Sequence, residues 1–328
     1  MKRDAKIYVA GHQGLMGSAL VRQLGKQGFA NLVFRTHREL DLTKRGEVEG
    51  FFAQERPAYV FVAAAKVGGI LANSSYPAEF IAQNLLIQIH VIHEAYRTGV
   101  KRLLFLGSSC IYPRHAPQPM KEEYLLTGPL EPTNRPYAVA KISGIEMCWA
   151  YNRQYGTQFL AAMPTNLFGP GDRYHPQDSH VIPALMRKMH EAKVSGAEEV
   201  VVWGTGTPRR EFLYSDDAAD ACVFLMKVPE EQFQQLLTRK DMPPLVNIGS
   251  GQEITIREAA ELVAEVVGFK GRLVLDRSKP DGAPRKLLDT SRLTAFGWKA
   301  RTPLREALKR TYVEFYEEIA ATAVVHAS

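Results

Sequence analysis

Three features of the sequence predict an α/β protein, a Rossmann-type doubly wound parallel sheet followed by a smaller C-terminal substrate-binding domain. Short apolar runs alternate with helix-period segments from Lys6 to Met163. Glycines at spacing three and three stand between the first run and the first helix. Past Gly169 the chain turns to loops rich in Pro, Gly, Asp and His. Strands alternating with helices imply βαβ units, which cross over right-handed and leave the strands parallel.

In order, Lys6–Ala10 reads as a strand, Leu15–Lys26 as a helix, Asn31–Arg35 as a strand, Lys44–Gln54 as a helix and Tyr59–Ala64 as a strand. Proline suits the first turn of a helix, so Pro77 opens a long one to about Thr98. Arg102–Leu106 follows as a strand, Tyr137–Tyr155 as a helix and Gln158–Met163 as a strand. The strands are almost continuously apolar, as expected when helices cover both faces of a sheet. The expected boundary divides residues 1–168, a cofactor-binding domain, from residues 169–328, with 211–228 returning to the first part. The polar stretches Glu191–Ala197 and Glu230–Pro244 are expected at the surface.

Composition narrows the function. The 328 residues are 45% hydrophobic and 23% charged, enough for a well-buried core. The most apolar run, Val60 to Ala72, is broken by Lys66 and is too short to span a membrane. No cleavable signal segment is expected, since Met1–Asp4 leads straight into a strand-like run. Cys110, Cys148 and Cys222 are odd in number and far apart, which favours a reducing cytoplasm over disulfides or a metal site. The net charge of +6 comes from cations scattered among nearly as many acids, so no nucleic-acid partner is expected, nor a membrane. A small phosphorylated ligand suits it as well.

Gly11, Gly14 and Gly17 lie between a strand and a helix. Such a turn is tight at the first glycine, open to a pyrophosphate at the second and close-packed at the third. In NAD-preferring proteins the second strand usually ends in an acid that accepts from the ribose. Here it ends in Arg35, Thr36, His37 and Arg38, and guanidinium grips a 2′-phosphate that a carboxylate would repel. That favours NADP over NAD, unless these are merely solvated loop cations.

Tyr137 and Lys141 are four apart, on one face of a predicted helix. A phenol titrates near ~10, and a neighbouring ammonium favours its ionised form. Ser108 falls just after the fourth strand, where ligands sit in open α/β sheets. A hydroxyl there can hold a carbonyl oxygen and steady the tyrosine.

The glycine turn, Ser108 and the Tyr137/Lys141 pair resemble the extended short-chain dehydrogenase/reductase family. Longer strings resemble one branch of it, the GDP-L-fucose synthases: Ala63–Ile70, Leu106–Pro113, Met163–Pro170, Ser179–Pro183 and Lys279–Lys286. The likeness runs from Ile7 to about Phe315. It implies NADPH as cofactor, GDP-4-keto-6-deoxy-D-mannose as substrate, 3,5-epimerisation with 4-reduction, and a homodimer. It implies Ser108, Tyr137 and Lys141 as reductive residues, with Cys110 and His180 acting on the sugar. On residue type alone, Cys110 reads as a small buried hydrophobe and His180 as a core histidine. Cofactor contacts are implied for Gly11, His12, Gln13, Gly14, Leu15, Met16 and Gly17; for Arg35, His37 and Arg38; for Leu106, Gly107, Ser108 and Ser109; for Lys141; for Pro164, Thr165, Asn166 and Leu167; and for His180. Substrate contacts are implied for Lys188, Trp203, Arg210 and Asp281.

The sequence departs from the branch at Gln13, where some members carry an arginine near the 2′-phosphate. Lys188 stands where arginine is frequent, keeping charge but losing bidentate grip. Two other functions fit the scaffold. A dehydratase or 4-epimerase that retains NAD is one, and a dehydratase would carry an acid pair where Ser109 and Cys110 stand. A cofactor-sensing regulator is the other, and such proteins usually lack the Tyr–Lys pair. The dimer seam is expected on the Pro77 helix (Phe80, Leu86, Ile87) and the Tyr137 helix (Ile145, Trp149).

Overall fold

A computed structural model describes residues 1–175, 179–238, 241–279 and 281–327. The first part runs β1 (Ile7–Ala10), α1 (Leu15–Lys26), β2 (Leu32–Val33), α2 (Arg45–Glu55), β3 (Tyr59–Val62), α3 (Ile70–Ser75), α4 (Pro77–Arg97), β4 (Arg102–Leu106), α5 (Arg135–Tyr155), β5 (Phe159–Pro164) and β6 (Asn166–Phe168). Then come α6 (Val181–Ser195), β7 (Glu199–Trp203), β8 (Arg209–Tyr214), α7 (Ser215–Lys227), α8 (Glu230–Leu237), β9 (Leu245–Ile248), β10 (Glu253–Thr255), α9 (Ile256–Val267), β11 (Arg272–Asp276), β12 (Arg285–Lys286), α10 (Ser291–Ala295) and α11 (Leu304–Ala327).

Six strands form a parallel sheet in the order β2-β1-β3-β4-β5-β9. The period-2 pleat divides its side chains between two apolar layers. Val9, Leu104, Leu160 and Val246 pack with Leu20, Ala219 and Phe233 on one face. Tyr8, Val60, Leu103, Phe105 and Phe159 pack with Phe52, Ile92 and Ile145 on the other. This double cover explains why the strand sequences are apolar at nearly every position, Arg102 and Asn247 being exceptions. The chain steps from β1 to β2, then returns to place β3 on the other side of β1. A crevice opens at the carboxyl ends where the order reverses.

The remainder of the chain builds a second core around Phe168, Met186, Phe212, Val263 and Phe315. Its centre is β8, which pairs with β10 antiparallel and with β12 and β6 parallel. A capping box starts α9: the Thr255 hydroxyl accepts from the Glu258 N–H at 3.1 Å, and the Glu258 carboxylate accepts from the Thr255 N–H at 2.7 Å.

Several sequence expectations change. The second strand shrinks to Leu32–Val33. Residues 230–244 are only partly at the surface: Glu230, Glu231 and Gln232 are exposed, but α8 buries Phe233 and Leu236 completely or nearly so, and Met242 is buried too (Arg239 and Lys240 lie outside the described residues). Its hydrophobic positions recur at helical spacing within a polar sequence, and the average polarity hid them. Immediately afterwards β9, which the sequence reading did not separate from its surroundings, completes the six-stranded sheet. Glu191–Ser195 ends α6, and 191–197 lies at the surface as expected except for the buried Ala192. Phe80 and Ile145 are buried inside the subunit and cannot face a partner, whereas Leu86 and Ile89 are exposed.

Candidate active site

A cavity of about 830 Å³ opens at the crevice, walled by the turn after β1, the segment after β3, the ends of β4 and β5, the start of α5 and the loop before α6. Its glycine turn is closed by contact. Gly11 has φ +80°, and a Cβ there would sit 2.7 Å from Ala64 backbone. A Cβ on Gly17 would fall 1.9 Å from the Gly11 carbonyl oxygen, so α1 packs directly on the turn. Gly14 differs: its Cβ would meet protein at an ordinary 3.6 Å, so the space it leaves faces the cavity. Gly14 is also the N-cap of α1 and no side chain caps the first turn, leaving the helix N-terminus to an anion. Gly11, Gln13, Gly14, Leu15 and Met16 line the cavity. His12 and Gly17 do not. The His12 ring stacks on Phe34 at 4.6 Å, and Gly17 is buried under the turn.

At the end of β2, Arg35 and His37 line the cavity while Arg38 is exposed and off its wall. The Arg35 guanidinium donates to Glu55 at 2.7 Å and to the Phe34 carbonyl at 2.9 Å. His37 lies 3.9 Å from Asp41. This end is basic but partly neutralised. The turn and helix N-terminus therefore fit a dinucleotide, with Arg35 and His37 placed to meet a 2′-phosphate.

The reactive groups meet at the end of β4. Leu106, Gly107, Ser108 and Ser109 line the cavity, with Tyr137 and Lys141 beside them. The Ser108 hydroxyl accepts the Cys110 N–H at 3.4 Å and stands near enough to the Tyr137 phenol and the Cys110 thiol to favour the ionised form of each. Lys141 donates to the Leu106 carbonyl at 2.7 Å and stands 5.8 Å from the centre of the Tyr137 ring. Burial pushes the phenol well above its ordinary value, with the Ser108 hydroxyl opposing, and lowers Lys141 to about 8. The expected pull of the ammonium toward phenolate is thus outweighed. Tyr137 rests protonated, ready to give a proton, and Lys141 is still mostly charged at neutral pH.

Cys110 is buried behind this wall and does not line the cavity. Desolvation raises its thiol, while Ser108, Lys286 and Lys141 act in the opposite direction. The loop it begins is tied to β9, where the Tyr112 hydroxyl donates to Asn247 at 2.5 Å. His180, the N-cap of α6, opens into the cavity from another element. Its ring is exposed to the cavity, and the surrounding walls still desolvate it enough to lower its pKa, so it is neutral at pH 7. Pro164, Thr165, Asn166 and Leu167 complete the wall between them.

Of the four expected substrate residues, Arg210 lines the cavity and Lys188, Trp203 and Asp281 do not, although the Asp281 carbonyl accepts from the Arg210 guanidinium at 3.4 Å. Trp203 is 56% exposed, with the Lys188 and Lys279 ammonium groups 5.1 and 5.6 Å from its ring centre. Asp281 accepts from the Thr205 N–H at 2.7 Å and the Thr205 hydroxyl at 2.8 Å, clipping the turn after β7 (its neighbour Pro280 lies outside the described residues). Residue-by-residue reading had missed three groups. Lys286, close to Cys110 and Arg210, stood in a recognised string without a role. Asp172, on the cavity wall, carries a carboxyl raised to about 7 by burial. Glu211 is completely buried. No local pattern marks the last two.

Residues 7–249 match the model of the NAD dependent epimerase/dehydratase family. A curated protein from Arabidopsis thaliana, GDP-L-fucose synthase 1, is 62% identical over 94% of this chain and 93% of its own. The GDP-L-fucose synthase of Escherichia coli K12 is 53% identical over 95% and 97%. A solved structure of a GDP-L-fucose synthetase from Naegleria fowleri bound to NADP superposes with a TM-score of 0.85 at 28% identity, covering 98% of this chain and 96% of that one.

Proposed function

We propose that this chain, which belongs to the NAD dependent epimerase/dehydratase family, carries out GDP-L-fucose synthesis: NADPH-dependent 3,5-epimerisation and 4-reduction of GDP-4-keto-6-deoxy-D-mannose. One observation carries the bifunctional reading. A single hydroxyl, Ser108, accepts the Cys110 N–H and stands near enough to both the Tyr137 phenol and the Cys110 thiol to favour the ionised form of each. Reduction needs the phenol. The thiol is superfluous to it and is what proton exchange beside a ketone requires.

The turn at Gly11–Gly17, Arg35, His37 and Lys141 would hold the cofactor, which supplies the hydride when bound. Tyr137 gives its proton to the C4 oxygen, and Ser108 orients both. The C4 ketone acidifies C3 and C5, so inversion needs a base on one face and an acid on the other: Cys110, once ionised and given access past the Ser108 wall, takes the proton, and His180, after taking up a proton from solvent, returns one to the opposite face. Residues 1–165 and α7 (Ser215–Lys227), with β9 completing their sheet, form the cofactor domain, while β6 and β8, expected in it, belong to the second core. The rest of the chain holds the sugar nucleotide through Lys188, Trp203, Arg210 and Asp281.

A homodimer along α4 and α5 suits the exposed Leu86 and Ile89. Cytoplasmic residence suits three free, buried cysteines. No helix among the described residues is long and apolar enough to cross a membrane. The test is NADPH oxidation with the keto-sugar and NMR identification of the product. GDP-L-fucose supports the reading. A reduced sugar with C3 and C5 uninverted would instead indicate a simple 4-reductase on this scaffold.

A further inference from the structure

Glu211 is a carboxylate at 0% exposure in the middle of β8. Its closest partners are backbone N–H groups. One oxygen accepts the Gly251 N–H at 2.7 Å and the Ser250 hydroxyl at 3.5 Å; the other accepts the Leu288 N–H at 3.0 Å. The residue's own carbonyl accepts the Asn166 side chain at 2.9 Å and the Thr165 hydroxyl at 3.3 Å. Gly249 is shaped to it, since a Cβ there would stand 2.3 Å from the carboxylate. Burying a carboxylate costs several kcal/mol unless its oxygens are satisfied, so a residue placed this way needs a reason.

The reason lies on either side of it. Arg210, the preceding residue, lines the cavity and sits in register with Lys286 across β8 and β12. Two residues past Lys286, the Leu288 N–H ends on the Glu211 carboxylate. Lys286, half-buried and off the cavity wall, feels both the Arg210 and the Cys110 charge. Two like charges held side by side favour an anion between them. We propose that Glu211 is a positioning residue: it fastens the Arg210 and Lys286 strands to each other and to the Thr165–Asn166 wall, setting both cations for a diphosphate. The inference rests on the sugar-nucleotide reading above, and the test separates the two.

Glu211→Gln is close in size but wrong in hydrogen bonding. Its NH₂ must face either the Gly251 or the Leu288 N–H, so one donor is left facing another. The dissociation constants of GDP, inorganic pyrophosphate and NADP⁺ are measured by calorimetry for wild type, Glu211→Gln and Glu211→Asp. Glu211→Gln is expected to weaken GDP and pyrophosphate roughly 10-fold. NADP⁺ should stay within about 2-fold, a change worth under half a kcal/mol. In turnover, KM for the sugar nucleotide should rise more than kcat falls. Glu211→Asp keeps the charge, falls one methylene short, and should lie between. Unchanged GDP and pyrophosphate binding in Glu211→Gln overturns the proposal. So does equal loss of NADP⁺, which would make Glu211 a general strut. If Glu211→Gln does not fold, Glu211→Asp is read by the same two outcomes. Failure of wild type to bind GDP would overturn the substrate reading instead, and pyrophosphate then decides on Glu211.

Discussion

On the side of the cavity proposed for the cofactor, backbone packs against backbone. Gly11 touches Ala64, Gly17 touches Gly11, and a helix N-terminus is left bare between them. On the side proposed for the sugar nucleotide, side chains are held by other side chains. Asp281 clips the turn beside Trp203, two lysines flank the indole, and Glu211 fastens the strand of Arg210. The first kind of surface is broken by adding one atom. The second is broken by removing one, and its parts come from segments far apart in the chain.

Where the two sides meet, the largest effect is expected. Tyr137→Phe should lower kcat by about 10²–10⁴, the usual worth of a positioned proton donor. NADP⁺ affinity should be unchanged, and turnover near that of wild type would remove Tyr137 from the reaction. Next comes the backbone side. Gly17→Ala places a methyl 1.9 Å from a carbonyl oxygen that has nowhere to go. It should cost about 3 kcal/mol or more, measured by denaturant unfolding. Gly14→Ala should leave stability nearly unchanged while weakening NADP⁺, because its space belongs to the ligand. Equal effects at Gly14 and Gly17 would erase the distinction between packing and ligand approach.

Asp172 tests the loop that carries His180. Burial raises its carboxyl from an ordinary 3.8 to about 7, so the folded state holds a proton the unfolded state has lost. Its contribution to stability is full below about pH 4 and disappears as pH rises through about 7. Asp172→Asn should flatten that slope and gain about 1 kcal/mol at pH 8, seen as Tm against pH. A slope retained by the variant would place the titration elsewhere. The smallest effect is expected off the cavity wall. Trp203→Ala should raise KM for the sugar nucleotide by a few-fold, under about 1 kcal/mol for an exposed cation-flanked ring, with KM for NADPH unchanged. A larger change in the NADPH value would mean that the two sides are not separate.

This difference also decides what could be read in the sequence. Glycines at spacing three and three, a Tyr–Lys pair one helical turn apart and apolar runs at strand length are local, so β1, α1, β4 and α5 fall where expected or within two residues. The expectation failed where the determinant is not local. In α8, Phe233, Leu236 and Leu237 are three apolar residues among polar ones, and only the sheet face above them shows they are core. Glu211 sits inside a string of charged residues, Arg209 to Glu211, that reads as surface. It is buried because three other segments pair with β8. Trp203 and Asp281 were found through resemblance to a family, and spacing alone would have left them unassigned. His12 shows the reverse error: it lies in the glycine motif, yet its ring packs on Phe34 rather than facing the cavity.

The central claim is that one cavity both exchanges protons beside the ketone and reduces it, and Cys110→Ser tests it most directly. Deuterium uptake from D₂O into the C3 and C5 positions of the keto-sugar is followed by NMR with NADP⁺ bound, where no reduction can occur. Hydride transfer from NADPH is measured separately on the same variant. The account predicts that uptake falls by about 10²–10⁴, as for loss of a general base, while reduction of the ketone persists because Ser108, Tyr137 and Lys141 are intact. Uptake at the wild-type rate would contradict it and return Cys110 to the role of a buried packing residue.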